Sequence, residues 1–170
     1  MRARLALVGL LMFPWTAEAG LGASYAPPLL SAAYTDNANL FGFGYADYAV
    51  LPTLDVRWKE FTLQLHVLDL LGQLLINEDI IVGGNGWYHL VKSPMPGKAT
   101  AVLQPGGQLE LGAVNEELLM TVLLGGRGGV ELGEGKGGFG VYALPYVGVQ
   151  QANDDLASIV GGQMQISVFY

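Results

Sequence analysis

Residues Thr53 to Asp69, TLDVRWKEFTLQLHVLD, hold two runs of alternating side chains separated by Lys59-Glu60. Leu54, Val56 and Trp58 interleave with Thr53, Asp55 and Arg57. Phe61, Leu63, Leu65 and Val67 interleave with Thr62, Gln64, His66 and Leu68. Successive side chains of a strand point to opposite faces, so the pattern predicts a β-hairpin. Placing Arg57 opposite Thr62 sets Val56 opposite Leu63, Asp55 opposite Gln64 and Leu54 opposite Leu65. One face is then almost wholly apolar, and the other carries Asp55, Arg57, Gln64 and His66. A lone hairpin is marginal in water. Its apolar face must meet either the interior of a soluble sandwich or the hydrocarbon around a membrane barrel.

The start of the chain reads as an export signal. Arg2 and Arg4 form a basic head, Leu5 to Trp15 is apolar, and Ala17-Glu18-Ala19 has the small-x-small form of a cleavage site. The apolar run is far shorter than the ~20 residues of a spanning helix. Residues 1–19 are therefore expected to be a signal peptide and 20–170 a single barrel domain. Removing Arg2, Arg4 and Glu18 takes the basic residues from 8 to 6 and the acidic from 15 to 14, a net charge of −8. Nucleic acid is not an expected partner, because phosphates call for clustered Lys and Arg. The absence of cysteine rules out disulfides, thiolate metal sites and a cysteine nucleophile.

Past the leader no apolar run is long enough for a transmembrane helix, yet hydrophobic residues make up 51% of the chain and charged residues only 14%. Soluble domains average about 25% charged. Many of the 25 glycines lie inside segments that otherwise alternate as strands, where they weaken a soluble sheet but relieve crowding inside a small barrel. Low charge, alternation and abundant glycine together fit a transmembrane β-barrel. Eight strands are expected: Leu40–Tyr48, Val50–Trp58, Phe61–Leu68, Ile80–Lys92, Ala99–Val114, Glu117–Leu132, Phe139–Gln150 and Ser158–Tyr170. Gly20 to Asn39 is the least legible stretch, and Leu68 to Asp79 reads equally as strand, loop or short helix. Ser93–Lys98 and Gly133–Gly137 are expected turns, Gln151–Ala157 a polar loop, and Pro105 and Pro145 sites of a bulge or kink.

In the last strand Val160, Met164, Ile166, Val168 and Tyr170 alternate with Gln163, Gln165, Ser167 and Phe169. A terminal aromatic with apolar residues at every second position before it resembles the closing strand of bacterial outer-membrane β-barrel proteins. That resemblance implies an all-β, closed, antiparallel up-and-down transmembrane barrel in the outer membrane of a Gram-negative-type bacterium. It also implies that Met164, Ile166, Val168 and Tyr170 act as an assembly signal read by the barrel assembly machinery, with outer-membrane lipids around the finished protein. Eight strands fill their own interior with side chains, so no large pore is expected.

A polar network is expected in the lumen from Asp55, Arg57, Gln64, His66, Gln108, Glu110, Arg127 and Glu131, since buried charges require partners. Trp58, Phe61, Trp87, Tyr88, Phe169 and Tyr170 are candidates for aromatic girdles at the headgroups. Gly133, Gly135 and Gly138 match G-x-G-x-x-G, but the following FGVYALPY alternates as a strand, whereas dinucleotide binding needs a helix there. His66 and His89 are the only histidines, and neither adjoins a serine. No catalytic residue, cofactor or metal is assigned, and an enzyme is not expected. The expected role is structural, surface-binding or adhesive. Two alternatives remain open at this point: a soluble exported lipocalin-like barrel holding an apolar ligand, and a lipid-modifying outer-membrane enzyme. They differ in which face of each strand is apolar and in whether polar residues gather into a reactive group.

Overall fold

The computed structural model describes residues 19–26, 31–36, 52–67, 80–114, 117–134 and 137–170. Ten strands are present among them: β1 (Ala19–Tyr25), β2 (Ser31–Thr35), β3 (Thr53–Trp58), β4 (Phe61–Leu65), β5 (Ile80–Tyr88), β6 (Val91–Met95), β7 (Ala99–Val114), β8 (Glu117–Glu134), β9 (Gly137–Ala152) and β10 (Asp155–Phe169). Every pairing is antiparallel. The sheet runs β1-β3-β4-β5-β7-β8-β9-β10, and β10 pairs back onto β1. The result is a closed eight-stranded up-and-down barrel. Closure removes the open edges that would otherwise invite pairing with other chains.

The two remaining strands extend ring positions already occupied. β2 takes over from β1 along β10, where Tyr25 faces Ile166 and Ser31 faces Gln163. β6 takes over from β5 along β7, where Trp87 faces Gly106 and Val91 faces Leu103. Three residues, 88–90, thus oppose two, 104–105, which is a β-bulge. Pro105 stands opposite the extra residue, so the irregularity expected at Pro105 lies in the facing strand, and β7 itself keeps one register with β8 from Ala99 to Val114. Pro145 produces no bulge. Pairing of β9 with β8 lapses at Gly126 and Arg127 and resumes in the same register.

Register fixes the tilt. Gly22 leads through Asp55, Gln64, Asn85, Gln108, Leu123, Gly148 and Ile159 to Thr35. The circuit returns 13 residues further along the first ring position (35 minus 22), of which three belong to the step between β1 and β2. A stagger of ten over eight strands, at ~3.3 Å per residue and ~4.8 Å between strands, corresponds to a tilt of about 40°.

The hairpin β3–β4 has the expected register, Asp55 on Gln64 and Val56 on Leu63. Lys59 (φ 52°) and Asn153 (φ 50°) supply the left-handed backbone favoured in two-residue hairpin loops. Other boundaries differ from expectation. The ring takes its first strand from 19–35, the least legible stretch, while Leu40–Tyr48 lies outside the described residues, as do 68–79 and, apart from Ala19, the expected leader. The expected loop Gln151–Ala157 shrinks to Asn153-Asp154 because Ala152 and Ala157 continue the inward row of their strands and are buried. The expected turn Ser93–Lys98 begins after Met95. Pro94 is tolerated in β6 because that strand pairs only with β7.

Inward glycines make room for large neighbours. A Cβ on Gly140 would run into the Tyr142 hydroxyl, and one on Gly161 into that of Tyr146. Those two rings fill separate layers. Tyr142 packs with Trp87, Val102 and Leu144, and Tyr146 with Leu123 and Ile159.

Candidate functional site

The barrel interior is the candidate site, because the strands aim their polar side chains there. Arg127, Gln64, Gln104 and Glu110 are 0% exposed, whereas Leu124 on β8 is 64% exposed and Leu63 on β4 is 45% exposed. Alternation along each strand produces this directly. Gln64 and Leu63 are neighbours in sequence and sit on opposite sides of the barrel wall.

Three groups divide the lumen. Where β1 starts and β10 ends, Arg57 Nη2 donates to Glu131 Oε1 at 3.1 Å and to the Tyr142 hydroxyl at 2.8 Å. The Tyr142 hydroxyl donates in turn to Glu131 at 2.7 Å. The Arg57 guanidinium lies 3.7 Å from the centroid of the Phe169 ring, a cation–π contact that is strongest where water is excluded.

The middle group centres on Gln64 and Arg127. Gln64 Nε2 donates to Ser24 Oγ (2.7 Å) and Asp55 (3.1 Å). Its Oε1 accepts from Trp87 Nε1 (2.6 Å), Gln165 Nε2 (3.2 Å) and Asn85 Nδ2 (3.3 Å). Asp55 also accepts from Ser24 and from Thr53 Oγ1 at 2.8 Å. Arg127 donates through Nε to Gln104 and through Nη1 to Gln165 Oε1 at 2.9 Å. Its guanidinium lies 4.4 Å from the Tyr142 ring and 5.4 Å from the Trp87 ring. Gln104 Nε2 also contacts His89 Nδ1 at 2.9 Å, and His89 Nε2 contacts Thr62 Oγ1 at 2.8 Å.

The third group is His66 Nδ1 with Glu110 Oε1 at 3.2 Å, and Glu110 accepts from Gln108 Nε2 as well. The structure therefore puts all eight sequence-derived lumen residues inside the wall, but in three separate groups. An Arg–Glu pair forms at Arg57–Glu131. Arg127, expected to join it, is instead held by two neutral amides and two aromatic rings. Its charge faces the Asp55 carboxylate only through the chain Gln165–Gln64.

The expected lumen network omits other buried polar residues, among them Ser24, Thr62, Asn85, Gln104, Gln165 and Ser167. Gln104 and Gln165 stand on the inward rows of strands already read as such, so extending the alternation would have reached them. Trp87 is a correction. Expected in an outer girdle, it is 4% exposed and donates to Gln64. Trp87 and Tyr88 are adjacent on one strand, so only one can face out, and that one is Tyr88. Phe169 likewise turns inward beneath Arg57, leaving Trp58, Phe61, Tyr88 and Tyr170 exposed on the outside. Met164 and Val168 on β10 and Tyr170 just after it are exposed, and the Tyr170 N–H donates to Leu21 O at 2.7 Å.

Chemically, the interior is a network of hydrogen bonds. Ser24 is held by Asp55, Ser167 and Gln64. Thr62 meets a histidine whose other ring nitrogen faces an amide, not a carboxylate, so the orienting acid of a hydrolytic triad is missing there. Among the described residues no group of three or more His, Asp or Glu is placed to hold a metal ion. No family model, no curated protein and no solved structure matches this chain.

Proposed function

We propose that this barrel is an integral protein of a bacterial outer membrane, with a structural, surface-binding or adhesive role. One observation carries the reading. The outward rows of the described strands are apolar and contain no charged residue between the Trp58 and Leu118 ends, while the inward rows hold the carboxylates, guanidiniums and amides. Water does not favour that arrangement, because the apolar band would remain exposed all round the barrel. Hydrocarbon does favour it, and a closed ring leaves no backbone group unpaired there. A lipocalin-like carrier would need the opposite, an apolar lumen for its ligand.

The lengths of the connections agree. At the end where β1 begins and β10 ends, β3–β4, β6–β7 and β8–β9 join through two or three residues. At the other end the sequence separations 36–52 and 66–79 are long, while 115–116 and 153–154 are two residues each. Short turns on the periplasmic side and longer loops outside are the outer-membrane pattern. The reading assigns outer-membrane lipids as surroundings, the assembly machinery as a partner of β10, and no catalysis.

The deciding experiment is fractionation. The mature protein is expected in the outer-membrane fraction, released by detergent and not by high salt or carbonate. Recovery in the soluble periplasmic fraction would favour the carrier instead. The lumen supports a second expectation. Arg127, Tyr142 and Gln64 close the middle of the barrel, so purified monomer in planar bilayers should show no large steady conductance. A porin-sized current would mean that these side chains do not fill the lumen in a bilayer.

A further inference from the structure

The two ends of the barrel differ in charge. Each connection at the short-turn end carries a lysine: Lys59 between β3 and β4, Lys98 between β6 and β7, and, in the sequence between β8 and β9, Lys136. Lys92 stands on β6 at the same end, and these four are all the lysines of the chain. The only other bases after Arg4 are Arg57 and Arg127, which point into the lumen. At the opposite end the connections 36–52, 66–79, 115–116 and 153–154 contain no Lys or Arg, and every one of them contains an acidic residue.

A second feature marks the lysine end. Trp58, Phe61, Tyr88 and Tyr170 face outward there. The Phe61 and Tyr88 rings are 5.2 Å apart, and Lys59 Nζ lies 5.6 Å from the centroid of the Trp58 ring. Exposed aromatics of this kind settle at the headgroup level of a bilayer. Lys59 and Lys98 sit in the turns at the same end, whereas Lys92 stands opposite the buried Val102 and so belongs to the inward row of β6.

We propose that Lys59 and Lys98, in the turns of the short-turn end, bind the anionic headgroups of phospholipids in the leaflet on that side, and so fix the orientation of the barrel. The inference rests on the membrane reading above. A lysine near an anionic bilayer surface strengthens binding about fivefold. Two on one rim, with none at the other end, give a preference that only one orientation can use.

Trp58 reports on the lipids next to this rim, since the other tryptophan of the barrel, Trp87, is buried inside. The protein is reconstituted in vesicles of phosphatidylcholine and phosphatidylglycerol with one or the other lipid brominated. Quenching of tryptophan fluorescence then gives the ratio of their association constants. The wild-type protein is expected to favour phosphatidylglycerol by at least about fivefold. The variant K59Q/K98Q should bring the ratio close to one, as should 1 M salt, where screening acts within ~3 Å. Glu60→Gln removes a negative charge from the same rim and should raise the ratio. Parity in the wild-type protein would overturn the proposal and leave the rim to an acidic protein partner, and so would a preference that survives the double substitution. If brominated phosphatidylcholine fails to quench Trp58 at all, the membrane reading itself falls, and the proposal with it.

Discussion

Arg127→Ala is expected to destabilise the barrel by about 4 kcal/mol, more than any other single lumen substitution. The side chain is fully buried and central. Removing it opens a cavity between Tyr142 and Trp87, and large-to-small changes in a core cost about 2–5 kcal/mol. It also strips a donor from Gln104 and from Gln165, each an acceptor in a buried site, at ~1–3 kcal/mol apiece. The two costs overlap, since a water molecule entering the cavity can serve one amide. Arg127→Met keeps most of the volume and removes a charge that touches no carboxylate, so it should cost roughly half as much. The measurement is a urea titration in lipid vesicles, followed by Trp87 fluorescence and by the gel mobility difference between folded and unfolded barrel. Equal loss in both variants would mean that the charge, not the packing, holds the middle of the lumen.

Legibility followed contrast between neighbouring side chains. Asp55 beside Leu54, and Gln64 beside Leu63, leave only one face that can be buried with partners. The hairpin register could therefore be written down from the residues alone, and the structure has the same pairs. The first strand offers no such contrast. AGLGASY differs between its faces mainly in size, with Leu21, Ala23 and Tyr25 outward and Gly22 and Ser24 inward. A row of small residues carries little hydropathic signal, although Ser24 contacts Asp55, Gln64 and Ser167. The stronger alternation in Leu40–Tyr48 drew the expected first strand away from it.

Bulges were illegible for a different reason. Leu90 and Val91 are consecutive and both exposed. An extra residue shows only against a partner strand, and nothing in KSPMP or in GWYHLV states which residues of β7 stand opposite. The lumen shows the same limit. That Arg57, Arg127, Glu110 and Glu131 face inward follows from alternation within each strand. Which of them touch follows from the stagger around the ring. The stagger brings Arg57 to Glu131 and Tyr142, from strands far apart in sequence, and leaves Arg127 among amides.

Deleting Val168 to Tyr170 is expected to abolish the finished barrel. β1 and β10 meet through only four residue pairs along β1, and two of these, Gly22 with Phe169 and Ala23 with Val168, would vanish. The Tyr170 N–H bond to Leu21 O goes as well, and Arg57 loses the ring beneath its guanidinium. On the proposed membrane reading, what remains of β1 and the start of β9 would present unpaired N–H and C=O groups to hydrocarbon, at several kcal/mol each. The truncated protein should therefore stay soluble, aggregate or be degraded before it reaches a membrane. Tyr170→Ala separates closure from recognition. Its side chain is 75% exposed and touches little of the barrel, while its backbone N–H survives the substitution, so the folded barrel should keep nearly all its stability. If the terminal aromatic is an assembly signal, that variant should still insert more slowly in cells. Time-resolved membrane fractionation and heat-modifiable gel mobility, run on both variants, read the two effects apart. A truncated chain that reaches the outer membrane at normal yield would show that β1 and β10 need not close the ring. Normal insertion of Tyr170→Ala would remove the signalling role from Tyr170 while leaving its backbone contact to Leu21 in place.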